Sequence, residues 1–333
     1  MLKMKWIYLP PLLIYASAGV SGLTNIVGIF FLKDYLNLSA AFIASIGFWA
    51  GIPWALKMPV GFLVDKYWKY KNILVFIGAT IIFISLLIMY LLLKSRSLME
   101  LYLQAENWFI LSAILTPIGY VVQDVVADAM TVEVVENRND KNFDQNQNSE
   151  ILLKKEHTLV QMYGRFAIIS GSLLVSLINV LMFKGIDMKD ENLVYSTYTN
   201  IYLLSLMIPF LSVFGVILYS FLGKNSKKFL LNRKLNKLDY KIFIGSIIFV
   251  FLAVFLGGMQ FPFAQEMILI TSLSLIGVLM FLLTGTLEKK QRFSIVGTAI
   301  IIFVYRSMPS PGPGLSWFEI DILNFDQAFL SSL

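Results

Sequence analysis

The last sixteen residues, FEIDILNFDQAFLSSL (Phe318 to Leu333), lie over FLKDYLNLSAAFIASI (Phe31 to Ile46) with seven identities and no gap. The offset is a constant 287 residues, so the stretch before the first copy, Trp6 to Leu32, has its counterpart at Phe293 to Glu319. The chain therefore holds one long unit and the beginning of a second, and the expectation is a truncated two-unit protein. Parallel repeats inside an apolar chain build proteins whose two related halves face each other across a midplane.

Composition sets the solvent. Apolar residues make up 57% and charged residues 14% of the chain, with a mean hydropathy of +0.73, outside the range of a soluble globular domain. A hydrocarbon core about 30 Å thick calls for roughly 20 apolar residues per helix. Nine segments qualify, at 6–32, 38–64, 72–93, 107–134, 157–183, 199–222, 241–258, 264–286 and 293–319. Runs such as Ile73 to Leu93 lack the period-two alternation of a membrane barrel, so the expected fold class is all-α transmembrane.

The net charge of +6 hints at nucleic acid, but the placement of the 27 Lys and Arg residues argues for topology instead. Nineteen fall on one side: Lys3, Lys5, the cations of 66–71, the 136–156 loop, 224–241 and 289–292. Five fall opposite, namely Lys33, Lys94, Arg96, Lys184 and Lys189. The positive-inside rule then puts the amino terminus in the cytoplasm of a multi-pass protein of the cell membrane or a bacterial inner membrane. The basic run 224–241 also suits anionic lipid head groups.

The start of the chain resembles a secretory signal, with Lys3 and Lys5 before an apolar run and Ala16-Ser17-Ala18 as a cleavage-like site. The apolar run continues to Leu32, and its repeat counterpart is internal, so the first segment is expected to stay. With no cysteine, disulfides and thiol ligands are excluded, and neither a metal cluster nor a cofactor motif is legible. His157, the single histidine, reads as a solvated residue beside a loop. Residues 1–222 form the expected six-helix half, with a polar cytoplasmic loop at 136–156. A basic linker (223–240), an extra helical hairpin (241–286) and the start of the second half (287–333) follow.

A charge at bilayer depth costs about 2.5 to 3.5 kcal/mol and needs a partner or a wet cavity. Five residues carry that requirement: Lys57, Asp124, Asp128, Arg165 and Arg306. Asp124 and Asp128 are four apart, on one helix face and about 6 Å from each other, which disfavours ionising both. Lys57 and Arg165 are the expected counter-charges, and neighbouring Gln123 joins the candidate pathway. One reading is a structural ion-pair network locking the second, fourth and fifth helices. The other is an ion and substrate pathway, in which three cations against two carboxylates leave a surplus for an anion and proton uptake favours its binding.

Two further stretches stand out. Arg306 is followed by Ser-Met-Pro309-Ser-Pro311-Gly312-Pro313-Gly, which no ordinary helix survives, although the repeat places it within the ninth segment. A discontinuous helix at membrane depth marks a substrate site; the alternative is a helix terminus at the surface. The other stretch runs from Gly61 through Asp65-Lys66 to Lys69 and Lys71, with Glu133 as the acidic group at the same end of the fourth segment. Such a charge cluster suits a gate latched by ion pairs.

The spacing from Gly61 to Lys71 resembles the loop motif between the second and third helices of the major facilitator superfamily. That resemblance implies a helical bundle with an N-terminal six-helix half, here followed by the central hairpin and the first helix of a C-terminal half. Gln123-Asp-Val-Val-Ala-Asp128-Ala-Met-Thr-Val-Glu133 is similar to a helix-four signature of the folate-biopterin transporter family. Pro53-Trp54 with Lys57-Met-Pro59, Gly164-Arg165 through Gly171, and Ser307-Met-Pro309-Ser-Pro311 before Phe329-Leu330 follow that family's order. The resemblance implies uptake of folates or pterins, with Asp124, Asp128 and Arg165 as functional polar residues and Arg306 where many members carry Gln. Muropeptide permeases and acetyl-coenzyme A transporters resemble the same stretches and imply other organic anions. The expected function is secondary active, cation (proton)-coupled uptake of an anionic organic solute. The expected partners are that solute, a proton or other cation and the lipid bilayer, with no nucleic acid, cofactor or enzymatic activity. A non-transporting membrane sensor or scaffold is the alternative of another class.

Overall fold

The computed structural model describes residues 5–139, 147–222, 237–258, 263–285, 287–308 and 311–333. Most of the basic linker expected at 223–240, part of the 136–156 loop and Pro309 lie outside the described residues. Among the described residues the chain is helical, with no strand.

Six helices among the described residues are long and apolar enough to cross a membrane: α1 (Trp6–Tyr35), α2 (Ala40–Lys66), α3 (Trp68–Lys94), α4 (Ala105–Val135), α5 (Leu153–Phe183) and α6 (Glu191–Leu222). They are compatible with a multi-pass membrane protein. Next come α7 (Lys237–Gly258), α8 (Ala264–Thr284), α9 (Lys289–Arg306), α10 (Pro313–Asp321) and α11 (Gln327–Ser332). The seventh and eighth expected spans are helices whose apolar portions, Phe243–Gly258 and Glu266–Leu282, are shorter than the first six. The ninth is two helices, α9 and α10, separated around Gly312, whose φ of 61° is open to glycine. The sixth begins at Glu191 rather than 199, because the Asp190 carboxylate caps it by accepting from the amides of Asn192 and Leu193. Polar residues such as Glu191, Asn192, Ser196 and Thr197 dilute its apolar pattern and hide those first turns in the sequence.

Prolines and turns within the helices set where side chains point. Pro59 has no amide to offer the Ala55 carbonyl, and α2 breaks at Leu56, one residue before Lys57. Pro209 acts the same way on α6, which breaks between Ser205 and Ile208. α1 tightens to a 3₁₀ turn at Ser21–Thr24 and ends in a π turn at Phe31–Tyr35.

α3 packs against α4, and α1 against both α5 and α6. Small residues allow the closest crossings, as expected where helices associate by van der Waals packing. A Cβ on Gly119 would meet the Gly78 carbonyl oxygen at 2.7 Å. Ser85, Ser112 and Thr116 add a buried hydroxyl cluster between α3 and α4. α7 lies along α2, with Phe62 against Tyr240 and Phe243 and with Phe48 against Gly257, and pairs with α8 as the expected hairpin.

The sequence repeat is also a backbone repeat. Asn37 and Asn324, 287 residues apart, both adopt positive φ, 53° and 54°. The Leu36 and Leu323 amides close onto Phe31 and Phe318 carbonyls, both at 3.2 Å, and the Leu38 and Phe325 amides onto Leu32 and Glu319, both at 3.0 Å. Ser39 and Asp326 then cap α2 and α11 by accepting from the Phe42 and Phe329 amides. α10 packs on α2, and α11 on α5 and α1, whereas α9 has no buried residue.

Candidate functional site

The break in α2 turns Lys57 toward α4, where Asp124 and Asp128 share a face because they are one helical turn apart. The Lys57 ammonium pairs with both, touching Asp124 Oδ2 and lying 2.8 Å from Asp128 Oδ2. The two aspartates differ in access to solvent: the Asp124 side chain is 18% exposed, that of Asp128 42%. Asp128 accepts a second hydrogen bond, donated by the Tyr15 hydroxyl from α1. Tyr15 itself is buried.

Gly164 on α5 explains how Tyr15 reaches Asp128. A Cβ there would meet Tyr15 Cε2 at 2.9 Å, so the absence of a side chain makes room for the ring. Arg165, the next residue, lies within electrostatic reach of Tyr15 but is exposed and joins no ion pair among the described residues. Gln161, also on α5, donates to Thr131, whose hydroxyl in turn bonds the Asp128 carbonyl. The site thus draws on α1, α2, α4 and α5. Two carboxylates share one ammonium, and counting the Arg165 guanidinium, which reaches Tyr15 electrostatically without pairing to either carboxylate, brings the formal charge of the group to zero.

Other residues singled out in the sequence lie elsewhere. Gln123 is buried, with its amide donating to Val75 O on α3 at 3.3 Å and to Ser212 on α6 at 2.8 Å. It ties three helices together and shares no hydrogen bond with Lys57 or Asp128. Arg306 is exposed at the last turn of α9 and makes no ion pair among the described residues. Pro311 and Gly312 form the break before α10, and Pro313 opens that helix.

The Gly61–Lys71 stretch reaches a second charged cluster. Lys71 pairs with buried Glu133, its ammonium lies 4.4 Å from the Trp68 ring and 4.2 Å from the Tyr219 ring, and it donates to Tyr219 at 2.9 Å. Trp68 Nε1 also donates to Glu133. Gly61 faces Val125 of α4, Asp65 is half-buried at the end of α2, and Lys66 is exposed beside the Tyr67 ring. Nearby, Glu156 of α5 accepts from Lys5 and Tyr8. Sequence reasoning missed Tyr15 and Glu156; with 15 tyrosines in the chain, no spacing signal marks the one that meets an aspartate. Comparison with family models, with curated proteins and with solved structures gives no match.

Proposed function

We propose that this chain belongs to a secondary active transporter of the major facilitator superfamily type, in which the first six helices form one half and the repeated stretch belongs to the other. In this reading it takes up an anionic organic solute, such as a folate or pterin, together with a proton, and its amino terminus is cytoplasmic. One observation carries the proposal: a single ammonium, Lys57, is clasped by two carboxylates one turn apart at a break in α2. Charges at lipid depth are retained where they serve an ion or substrate path.

Charge balance supplies the mechanism. Lys57 and Arg165 against Asp124 and Asp128 sum to zero, so a proton on either carboxylate leaves one positive charge uncompensated. An anion restores neutrality, and reciprocal coupling then makes each ligand favour the other. Protonation also loosens the clasp on Lys57 and frees its ammonium for the solute. Lys57 and Asp128 are both partly exposed, which gives a proton and a solute access to them. The repeat at the α1–α2 and α10–α11 turns supports the two-half architecture this mechanism needs.

The test is uptake of radiolabelled folate, biopterin and a muropeptide by cells expressing the gene, with Asp124→Asn as control. Accumulation of one of them, driven by an imposed pH gradient and lost in Asp124→Asn, is the expected result. Uptake indifferent to the gradient and normal in Asp124→Asn would overturn the coupling. Uptake of none of these solutes, nor of other organic anions, would remove the transport reading in favour of a sensor or scaffold.

A further inference from the structure

The π turn that ends α1 carries Lys33 and Asp34 at the end of the bundle opposite the amino terminus. The repeat maps Asp34 onto Asp321, at the end of α10. The Lys33 ammonium touches both of these equivalent carboxylates, at 3.4 Å from Asp34 and 2.7 Å from Asp321. One cation is therefore shared between corresponding positions of the two copies. Beside it, Gln327 at the start of α11 donates to the Tyr198 hydroxyl of α6. Tyr198 meets the Tyr35 ring edge-on, 6.2 Å between centroids, and Arg96 holds the Tyr35 carbonyl at 2.9 Å. These contacts fasten the second copy to the first at this end, while α9, which leads back toward the other end, has no buried residue.

We propose that Lys33 and Asp321, with Gln327 and Tyr198, form an ionic gate that is closed in this structure and must part before the Lys57 site can be reached from that side. The inference deepens the transport reading and depends on it for purpose, though not for the contact itself. Two features suit a gate rather than a permanent brace. The Asp321 side chain is 51% exposed against 18% for Lys33, so Asp321 can withdraw into solvent while Lys33 continues to need a counter-charge. Asp34, on Lys33's own helix, is a resident alternative partner. When Asp321 withdraws, Lys33 passes to Asp34 and is never stranded without a counter-charge. A brace has no need of that second carboxylate.

The chain has no cysteine, so Leu101→Cys with Ile322→Cys places a unique pair of exposed spin-label sites on the two copies at this end. Double electron–electron resonance in lipid vesicles reads the closed and open populations as short and long distances. Asp321→Asn is expected to raise the ratio of long to short about threefold, the scale of one partly exposed ion pair. Lys33→Asp combined with Asp321→Lys is expected to restore it, which also shows that the variant protein folds. Asp34→Asn removes the alternative partner, so it is expected to lower the ratio. An unchanged distribution in Asp321→Asn, a swap that fails to restore it, or an Asp34→Asn that raises it, each overturns the gate. A shifting distance in a protein that carries no solute keeps the gate and removes the transport reading. Normal uptake with unshifted distances removes the gate alone.

Discussion

Replacing Lys57 by methionine keeps most of the length of the side chain and removes its charge, leaving Asp124 and Asp128 facing each other one turn apart. At about 6 Å and an effective dielectric of about 20, two ionised carboxylates repel by about 3 kcal/mol. Asp128 is 42% exposed, so solvent screens part of this and about 2 kcal/mol remains. Lys57→Met is therefore expected to destabilise the bundle by about 2 kcal/mol in a reversible denaturant titration in mixed micelles, followed by circular dichroism. The sign of the second step is the sharper test. Asp124→Asn alone removes a partner from Lys57 and destabilises, whereas in the Lys57→Met background it relieves the repulsion and recovers most of the loss. If the two losses simply add, the three groups are not a clasped charge set and the reasoning fails.

Three other outcomes follow from the same contacts. Gly164→Ala puts a methyl group 2.9 Å from the Tyr15 ring, so it is expected to cost about 1–3 kcal/mol and to disturb the Tyr15–Asp128 hydrogen bond. Tyr15→Phe, which loses that bond without the clash, separates the two effects in the same titration. Glu133→Gln leaves the buried Lys71 ammonium without its carboxylate and is expected to cost about 3–5 kcal/mol, with Lys71→Met in the same chain recovering part of it. Asn37→Val and Asn324→Val each force a β-branched residue into positive φ and are expected to lose about 1–2 kcal/mol, while the glycine variants stay close to the parent. Thermal melting of the four proteins checks it, and unequal losses at the two sites would break the structural equivalence of the repeat.

Much of the fold was legible because helices have a fixed period and membranes a fixed thickness. The six long spans, the hairpin and the break after Arg306 all follow from runs of apolar residues and the position of prolines. Asp124 and Asp128 were paired by spacing alone, and Lys57 stood out as a lone cation in an apolar run. Gln123 was grouped with Asp124 as its neighbour in the chain, but one residue on a helix is a rotation of about 100°, which turns it to α3 and α6 instead. The early start of α6 was hidden because its first turns are polar and stabilised by the Asp190 cap.

The sequence by itself determined that the chain is a set of apolar helices with a repeated turn, and that two carboxylates share a face. Periodicity and hydropathy are local properties, readable within one segment. Only the tertiary structure decided that Lys57 sits between those carboxylates, that Tyr15 reaches Asp128 over a glycine, that Arg306 lies apart from them, and that Lys33 joins the two copies. Each of these depends on which faces of helices distant in sequence meet. Side-chain volume at the crossing settles that, and no single segment contains it.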